Sequence, residues 1–475
     1  MYWRIINMLF VDLDKTLIKS DFLLESFVRY FSKNIFAPII CLAVLITKGK
    51  VGLKEFLSNK SDISVENLPY NKQVLDAIYQ WKENYPKEKV ILISATHQDV
   101  IERIAYHLKC FDAWYGTDNE NLKSEIKLKK IKDLTEGESF TYIGDSFADL
   151  VIWENAKKCY LVNPSKNLLK AVTKINDSIE IIASKKSNLF FEVIKTIRVH
   201  QWVKNLLIFI PAILSLKPFV DLLEVLVSGF FAFSFIASAF YILNDLFDIE
   251  SDRVHHSKKH RAFASGSLSI NQGFFIFIFL IVAAILISFS LPQAFQLLLL
   301  YAVATFTYSK YLKKLVILDI LTLSSLYLLR VITGGALVEI TISNWLLTFS
   351  VFFFLFLASV KRWVELNKLN TGMISGRGYQ ILDKSFVSNL SYFSGLISIL
   401  VICLYIESQQ ALTLYNQTQI LWLIPIILLY WVLETLFKVE RGQIDEDPVK
   451  YALKSKTSYI SLVGFVIIFL LSTIA

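Results

Sequence analysis

The stretch "NDLFDIESDRVHHSKKHRAFASG" (residues 244–266) runs on from the apolar stretch "VSGFFAFSFIASAFYIL" (227–243), so four acids and then a string of bases stand where a hydrophobic segment ends. The apolar block that it ends, near 224–243, has the length of a bilayer-crossing helix, which needs about 20 such residues. Asn244, Asp248 and Asp252 recur every four residues and share one face if the helix continues, with Asp245 beside Asp248. Uncompensated, these acids repel one another at the edge of a low-dielectric region. A divalent cation removes the repulsion, hard oxygen ligands favour Mg2+, and Mg2+ keeps open positions that phosphates fill. Lys258, Lys259 and Arg261 then meet the remaining phosphate charge. A solvated loop that only marks topology is the alternative, but topology needs the bases and not the acids.

Outward from this stretch, the 475-residue chain is 54% hydrophobic and only 19% charged, too apolar for an ordinary soluble protein. Its apolar residues come in blocks near 203–216, 224–243, 271–290, 293–307, 316–337, 344–360, 390–407, 419–437 and 457–474, which predicts about nine transmembrane helices. The net charge of +8 sits in alternate gaps. Lys258, Lys259 and Arg261 fill one, Lys310, Lys313 and Lys314 the next, and Lys361, Arg362, Lys368, Arg377 and Lys384 a third. Lys438, Arg441, Lys450, Lys454 and Lys456 fill a fourth, while "SLKPFVD", "SLPQ", "VEITISN" and "SQQALTLYNQTQ" hold almost no bases. This positive-inside pattern predicts a multi-pass protein of the inner (plasma) membrane and assigns the charge to a membrane rather than to nucleic acid. The N-terminus reaches Asp12 too early for a signal-peptide core, and four scattered cysteines form no disulfide frame. The N-terminal domain is therefore expected in the cytoplasm. A linker through "ASKKSNLFFEVIKTIRVHQW" suits a helix lying in the interface. It divides the chain into an N-terminal domain over 1–187 and a membrane domain over 188–475. A homo-oligomer is compatible with the sequence.

The N-terminal part alternates β-rich runs ("MLFVDLD", "KVILISAT", "FDAWYGTD", "FTYIGD", "KCYLVN") with helical ones such as "HQDVIERIAYHLK". The alternation predicts an α/β Rossmann-like open parallel sheet, with ligands beyond the carboxyl ends of its strands. An insert after the first strand, about 20–85, is expected to form a helical cap. Its core "NIFAPIICLAVLITKGK" is too short to span a bilayer, so it is either a buried cap helix or a face resting on the membrane. Asp12 and Asp14 alternate at the tip of the first strand, Ser94 ends the second, Lys127 follows on a helix, and Asp145 and Asp149 flank a later turn. Together they suit phosphoryl transfer: one carboxylate attacks phosphorus, a second moves a proton, a hydroxyl and an ammonium hold phosphoryl oxygens, and Mg2+ offsets the charge.

A second polar group borders the membrane blocks. Tyr308, Lys313 and Asp319 stand at the next basic gap, with Arg330 about three turns deeper in the following block. A charged Arg inside a spanning segment is costly and is a site candidate by default. "ASVKRWVEL" adds Lys361 and Arg362, and "HQWVKN" adds Lys204.

The set Asp12, Asp14, Ser94, Lys127, Asp145 and Asp149 resembles the haloacid dehalogenase-like hydrolase superfamily over about residues 7–165. The resemblance implies Asp12 as nucleophile, Asp14 as general acid/base, and Ser94 and Lys127 on the phosphoryl group. Mg2+ would be held by Asp12, the Asp14 carbonyl and Asp145, with Asp149 in support. "NDLFDIESD" followed by "YSKYLKKLVILD" resembles the UbiA-type intramembrane prenyltransferase superfamily over about residues 195–475. Within it, "RVHQWVKN", "KRWVEL", "RGY" and "DEDPV" are most similar to decaprenyl-phosphate phosphoribosyltransferases, which implies transfer of ribose 5-phosphate from phosphoribosyl diphosphate to a polyprenyl phosphate, a cell wall precursor chemistry. In that reading Asn244, Asp245, Asp248 and Asp252 hold Mg2+ and the diphosphate, with Asp248 and Asp252 catalytic, and Lys258 and Arg261 hold donor phosphates. Lys204, Lys313 and Arg330 neutralise the acceptor phosphate or the ribose 5-phosphate, with Tyr308, Asp319 and Lys361 on the substrate. A lone Asp319 departs from the second acidic cluster of members that prenylate aromatic acceptors. A prenyl diphosphate:aromatic acceptor transferase with an unrelated phosphatase attached is the alternative.

Overall fold

The structure is a computed structural model and describes residues 8–183, 188–215, 218–369, 372–374, 376–444 and 447–473. Residues 184–187 of the expected linker, and Asp445 and Glu446 of "DEDPV", lie outside the described residues. The chain forms two compact units, Met1–Ile197 with Tyr241–Ile278, and Arg198–Phe240 with Phe279–Ala475. The acid-rich stretch thus packs with the N-terminal half.

The first unit contains, in order, β1 (Met8–Val11), α1 (Phe22–Lys33), α2 (Ala37–Ser61), α3 (Lys72–Asn84), β2 (Val90–His97), α4 (Gln98–Leu108) and β3 (Ala113–Thr117). It continues with α5 (Glu125–Thr135), β4 (Phe140–Gly144), α6 (Leu150–Asn155), β5 (Lys158–Val162), α7 (Lys166–Val172), β6 (Ile179–Ile182) and α8 (Leu189–Ile197). All pairings are parallel, in the order β3-β2-β1-β4-β5-β6. Side chains alternate across β1: Leu9 and Val11 pack with Val74, Ile78 and Ile104 on one face, and Phe10 with Ile131, Tyr142 and Trp153 on the other. Burial on both faces is what a parallel strand requires, and it explains the continuous apolar run before Asp12. The five expected strands are present, with an edge strand, β6, in addition.

Between β1 and β2 the insert folds as helices. Asp21 caps α1, its carboxylate accepting from the Leu24 N–H at 3.1 Å. α2 is broken at Gly49, whose φ of 66° is one that L side chains rarely adopt. The limb before the break is not a buried helix: Ile39, Leu42 and Ile46 are exposed.

After α8 a 3-10 segment, Val199–Phe209, leads to α9 (Ile210–Leu214), α10 (Phe219–Phe247), α11 (Ile249–Val254), α12 (Ala262–Ser265) and α13 (Ile270–Phe289). Then follow α14 (Pro292–Lys310), α15 (Val316–Leu337), α16 (Asn344–Asn367), α17 (Lys384–Ile406), α18 (Gln409–Leu414), α19 (Thr418–Leu421), α20 (Leu423–Glu440), α21 (Pro448–Ala452) and α22 (Lys456–Thr473). The core of the second unit centres on Tyr327, Val331, Phe356, Trp363 and Val432. Seven helical stretches among the described residues are long and apolar enough to cross a membrane, not nine. The block at 203–216 falls largely in the shorter apolar segment Val199–Leu214, and that at 293–307 lies in α14, which is interrupted by Gln293, Gln296, Thr305 and Thr307.

Candidate functional site

Three polar centres take shape. The first lies at the carboxyl ends of β1, β2 and β4, where Asp12, Asp14, Ser94, Lys127, Asp145 and Asp149 line one crevice of about 360 Å3. Asp12 follows β1 and accepts from the Leu13 N–H at 2.8 Å and from Lys127 Nζ at 3.1 Å. Lys127 is buried, 3.7 Å from Asp149 and 3.0 Å from the Tyr142 hydroxyl, which donates to Asp149 at 2.8 Å. Burial disfavours its charge, but Asp12 and Asp149 outweigh that and keep the ammonium protonated. Asp12, Asp145 and Asp149 each offer an oxygen within 4.8 Å of the others, a hard donor set that fits Mg2+. Without a cation, burial and the neighbouring Asp12 and Asp149 raise Asp145 to about 8. Crowded carboxylates that resist ionising together are what a bound cation relieves.

The Asp14 side chain stands apart from this trio. Its carboxylate accepts from the Phe22 N–H at 2.7 Å and from Thr96 Oγ1 at 2.8 Å. Burial, then Asp21, raise it to about 7, the range of a group that can both give and take a proton near neutrality. The Ser94 hydroxyl is buried and accepts from the Thr96 N–H at 3.2 Å. Lys54, on α2, also lines the crevice, donating to the Ala95 carbonyl at 2.5 Å and Asn121 Oδ1 at 2.6 Å. Nothing in its local sequence marks it.

The second centre is the acid-rich stretch. α10 gives way to α11 at Asp248, whose ψ of 6° lies off the helix, but Asp248 N still bonds Asn244 O at 2.9 Å and Asp252 N bonds Asp248 O at 2.8 Å. Asn244, Asp248 and Asp252 therefore share a face, with Asn244 Nδ2 donating to Asp248 at 3.0 Å. Arg261 comes back between Asp245 (3.0 Å) and Asp252 (2.8 Å) and is their counter-charge here. Burial raises the Asp252 pKa, Arg261 opposing. Lys258 lies half-buried near enough to lower it further. The donors are hard oxygens, as Mg2+ requires, though Arg261 now stands between two of them.

The third centre belongs to the second unit. Asp319, on α15, is fully buried, paired with Arg362 of α16 and with Arg377 at 2.7 Å, and accepts from the Tyr308 hydroxyl at 2.9 Å. Lys204 and Lys361, predicted from separate motifs, meet on one acid, Asp447, at 3.0 and 2.9 Å. Burial opposes the Asp447 charge, but Lys361 and Lys204 outweigh it and hold the carboxyl well below the ordinary range. Arg330 is buried in α15, donating to Asn205 Oδ1 at 2.8 Å, the Tyr301 hydroxyl at 3.0 Å and the Leu326 carbonyl. Its guanidinium lies 5.0 Å from the Phe233 and Tyr301 ring centres. Among the described residues it forms no ion pair. Lys313 is half-buried in the turn Leu312–Lys314. Asn205 and Tyr301 were not foreseen, and Arg377 and Asp447 were singled out only within "RGY" and "DEDPV"; for Asp447 the available signal was a run of three acids in a basic gap.

Comparison with known proteins adds the following. The model of the UbiA prenyltransferase family matches residues 206–455. An uncharacterized protein of Sinorhizobium fredii, y4nM, is 34% identical over 463 residues, covering 95% of this chain and 88% of y4nM. Nodulation protein NoeC of Azorhizobium caulinodans is 29% identical over 272 residues, 56% of this chain and 88% of NoeC. The decaprenyl-phosphate phosphoribosyltransferase of Mycobacterium tuberculosis is 32% identical over 194 residues, 40% of this chain and 64% of that enzyme.

Proposed function

Because the chain belongs to the UbiA prenyltransferase family, we propose that its membrane half transfers ribose 5-phosphate from phosphoribosyl diphosphate to a polyprenyl phosphate, and that its N-terminal half removes the 5-phosphate from the product. In the transfer, a phosphate oxygen of the lipid attacks the anomeric carbon of the ribose as pyrophosphate leaves. The observation that carries this reading is Arg330: a cation buried in an apolar helix and in no ion pair among the described residues suits an anionic group of the substrate. Lys204, Lys313 and Lys361 supply further positive charge for phosphates. Asn244, Asp245, Asp248 and Asp252 are assigned to the donor diphosphate, with Lys258 and Arg261 taking its remaining charge.

In the second step Asp12 attacks phosphorus, Asp14 protonates the leaving ribose oxygen, and a water that Asp14 then deprotonates cleaves the aspartyl-phosphate. Ser94 and Lys127 hold the phosphoryl oxygens. Mg2+, when bound by Asp12, Asp145 and Asp149 in this half, or by the acid-rich stretch in the other, supplies charge neutralisation for phosphate groups. Asp319 bears on the alternative, an aromatic prenyltransferase: Arg362 and Arg377 compensate both it and Glu365, so among the described residues no uncompensated acidic pair is left there for a second metal. The positive-inside pattern supports a cytoplasmic N-terminal domain, on the side where the sugar phosphate donor is at hand. A thermal-shift titration of the whole protein with Mg2+ tests the assignment. Phosphoribosyl diphosphate should raise the melting temperature of the unaltered chain but not of Asp248→Ala, and geranyl diphosphate should leave both unmoved. A shift with geranyl diphosphate alone would favour the aromatic transferase.

A further inference from the structure

The two limbs of α2 differ in chemistry on either side of Gly49. The first limb and the residues leading into it expose a ridge of large apolar side chains, Ile35, Phe36, Ile39, Leu42, Leu45 and Ile46, with Ile39 69% and Ile46 75% exposed. A contiguous patch of this kind is uncommon on a soluble surface and marks an interaction site. The second limb lines the crevice of Asp12 and Asp14, through Lys50, Lys54, Leu57 and Ser58. One helix thus joins an apolar ridge to the mouth of a phosphoryl-transfer site.

Its neighbours identify what covers the ridge. α1, which forms a hairpin with α2, packs Phe31 against Phe247 (ring centres 5.0 Å) and Phe27 against Phe274 (6.1 Å). Phe247 is the last residue of α10 and Phe274 lies one turn into α13, and both helices are among the seven able to cross a membrane. α10 has 29 residues, more than the roughly 20 that a bilayer core needs, so Phe247 falls near the headgroup level. The ridge therefore continues from an existing membrane boundary. From Ala37 to Lys48 the limb is about 18 Å long at 1.5 Å per residue, too short to cross a core of about 30 Å but suited to lie in the interface. Lys48 and Lys50 flank its polar end, where they match anionic lipid headgroups.

We infer that the α1–α2 hairpin seats the Ile39–Ile46 ridge in the lipid interface and holds the Lys50–Lys54 mouth of the crevice at headgroup level, so that the phosphomonoester cleaved there is one carried by a lipid. The seating rests on geometry alone; the lipid-borne substrate rests on the phosphatase reading above. Ile39→Cys, Ile46→Cys and, on the exposed face of α3, Tyr79→Cys test it, each in the full chain with Cys41 and Cys403 changed to Ala. The proteins are labelled with bimane and reconstituted in phosphatidylethanolamine/phosphatidylglycerol vesicles containing nitroxide-labelled phosphatidylcholine. Loss of most of the fluorescence at positions 39 and 46, with little change at 79, is expected. Fluorescence at 39 and 46 that only aqueous iodide quenches overturns the seating, as does disulfide-linked dimer from unlabelled Ile39→Cys without lipid quenching, which would make the ridge a contact between two copies.

The unlabelled Ile39→Asn/Ile46→Asn protein gives the second readout. It should hydrolyse p-nitrophenyl phosphate within about twofold of the unaltered chain yet lose about tenfold or more of its activity on the vesicle-borne ribose 5-phosphate lipid, because only the second substrate needs the interface. Equal activity on both overturns the lipid-borne substrate. No hydrolysis of either by the unaltered chain overturns the phosphatase reading with it, and leaves the quenching result to decide the seating.

Discussion

At the residue scale, charge is met by charge at almost every buried position, and the exceptions are informative. Asp12 has Lys127 at 3.1 Å and the Leu13 N–H at 2.8 Å, so its carboxylate is aimed before any substrate arrives. Asp12→Asn keeps the volume and removes the proposed nucleophile. Hydrolysis of p-nitrophenyl phosphate should fall at least about a thousandfold with little change in melting temperature. Asp447 is a different case, an anion that holds two lysines from distant segments. Asp447→Asn leaves Lys204 and Lys361 close together without it and should cost about 1–3 kcal/mol, read as a lower melting temperature in detergent. The six crevice residues were legible in the sequence because each lies in the last half of a strand or in the turn or helix that follows one, on the side where a parallel sheet gathers its strand ends. Asp447 was not, since its partners lie 243 and 86 residues away and no periodicity reports such a meeting.

At the scale of elements, helices meet through small residues and buried pairs. A Cβ on Gly334 of α15 would lie 2.0 Å from the Ile208 carbonyl oxygen, a backbone atom that cannot swing aside. Gly334→Ala should therefore push α15 off the Val199–Phe209 segment at about 1–3 kcal/mol, seen as a drop in melting temperature. In the first unit, Arg253 of α11 pairs with Glu25 of α1 through two bonds of 2.9 and 2.6 Å, nearly out of reach of water. Arg253→Ala strands a buried carboxylate and should cost about 3–5 kcal/mol, with faster hydrogen exchange across Phe22–Lys33. The exposed pair Lys82–Asp112 offers the contrast, since Lys82→Ala should change stability by at most about 1 kcal/mol. The strands of the sheet were readable from β-branched and aromatic runs, except β6. "IEII" is four residues at an edge with no motif beside it, whereas the equally short β1 is interior and leads into "DLDKT". The block expected at 293–307 is a helix, α14, but polar residues on both sides of its leucine-rich stretch keep it out of the seven most apolar spans.

At the scale of the whole molecule, the proposed function gives the chain two reaction centres of complementary chemistry, one making a phosphomonoester on a lipid and the other cleaving it. Covalent linkage raises the effective concentration of the second site for the product of the first. The long apolar helices and the α/β domain could both be read from composition and motif order. The packing of Tyr241–Ile278 with the N-terminal half could not, because the contact between Glu25 and Arg253 spans 228 residues. The central claim is tested by incubating the purified protein in vesicles with Mg2+, polyprenyl phosphate and phosphoribosyl diphosphate labelled in the ribose, and resolving the labelled lipids by mass. The account predicts a ribosylated lipid without the 5-phosphate from the unaltered chain and the same lipid bearing it from Asp12→Asn. No labelled lipid from either protein would contradict it.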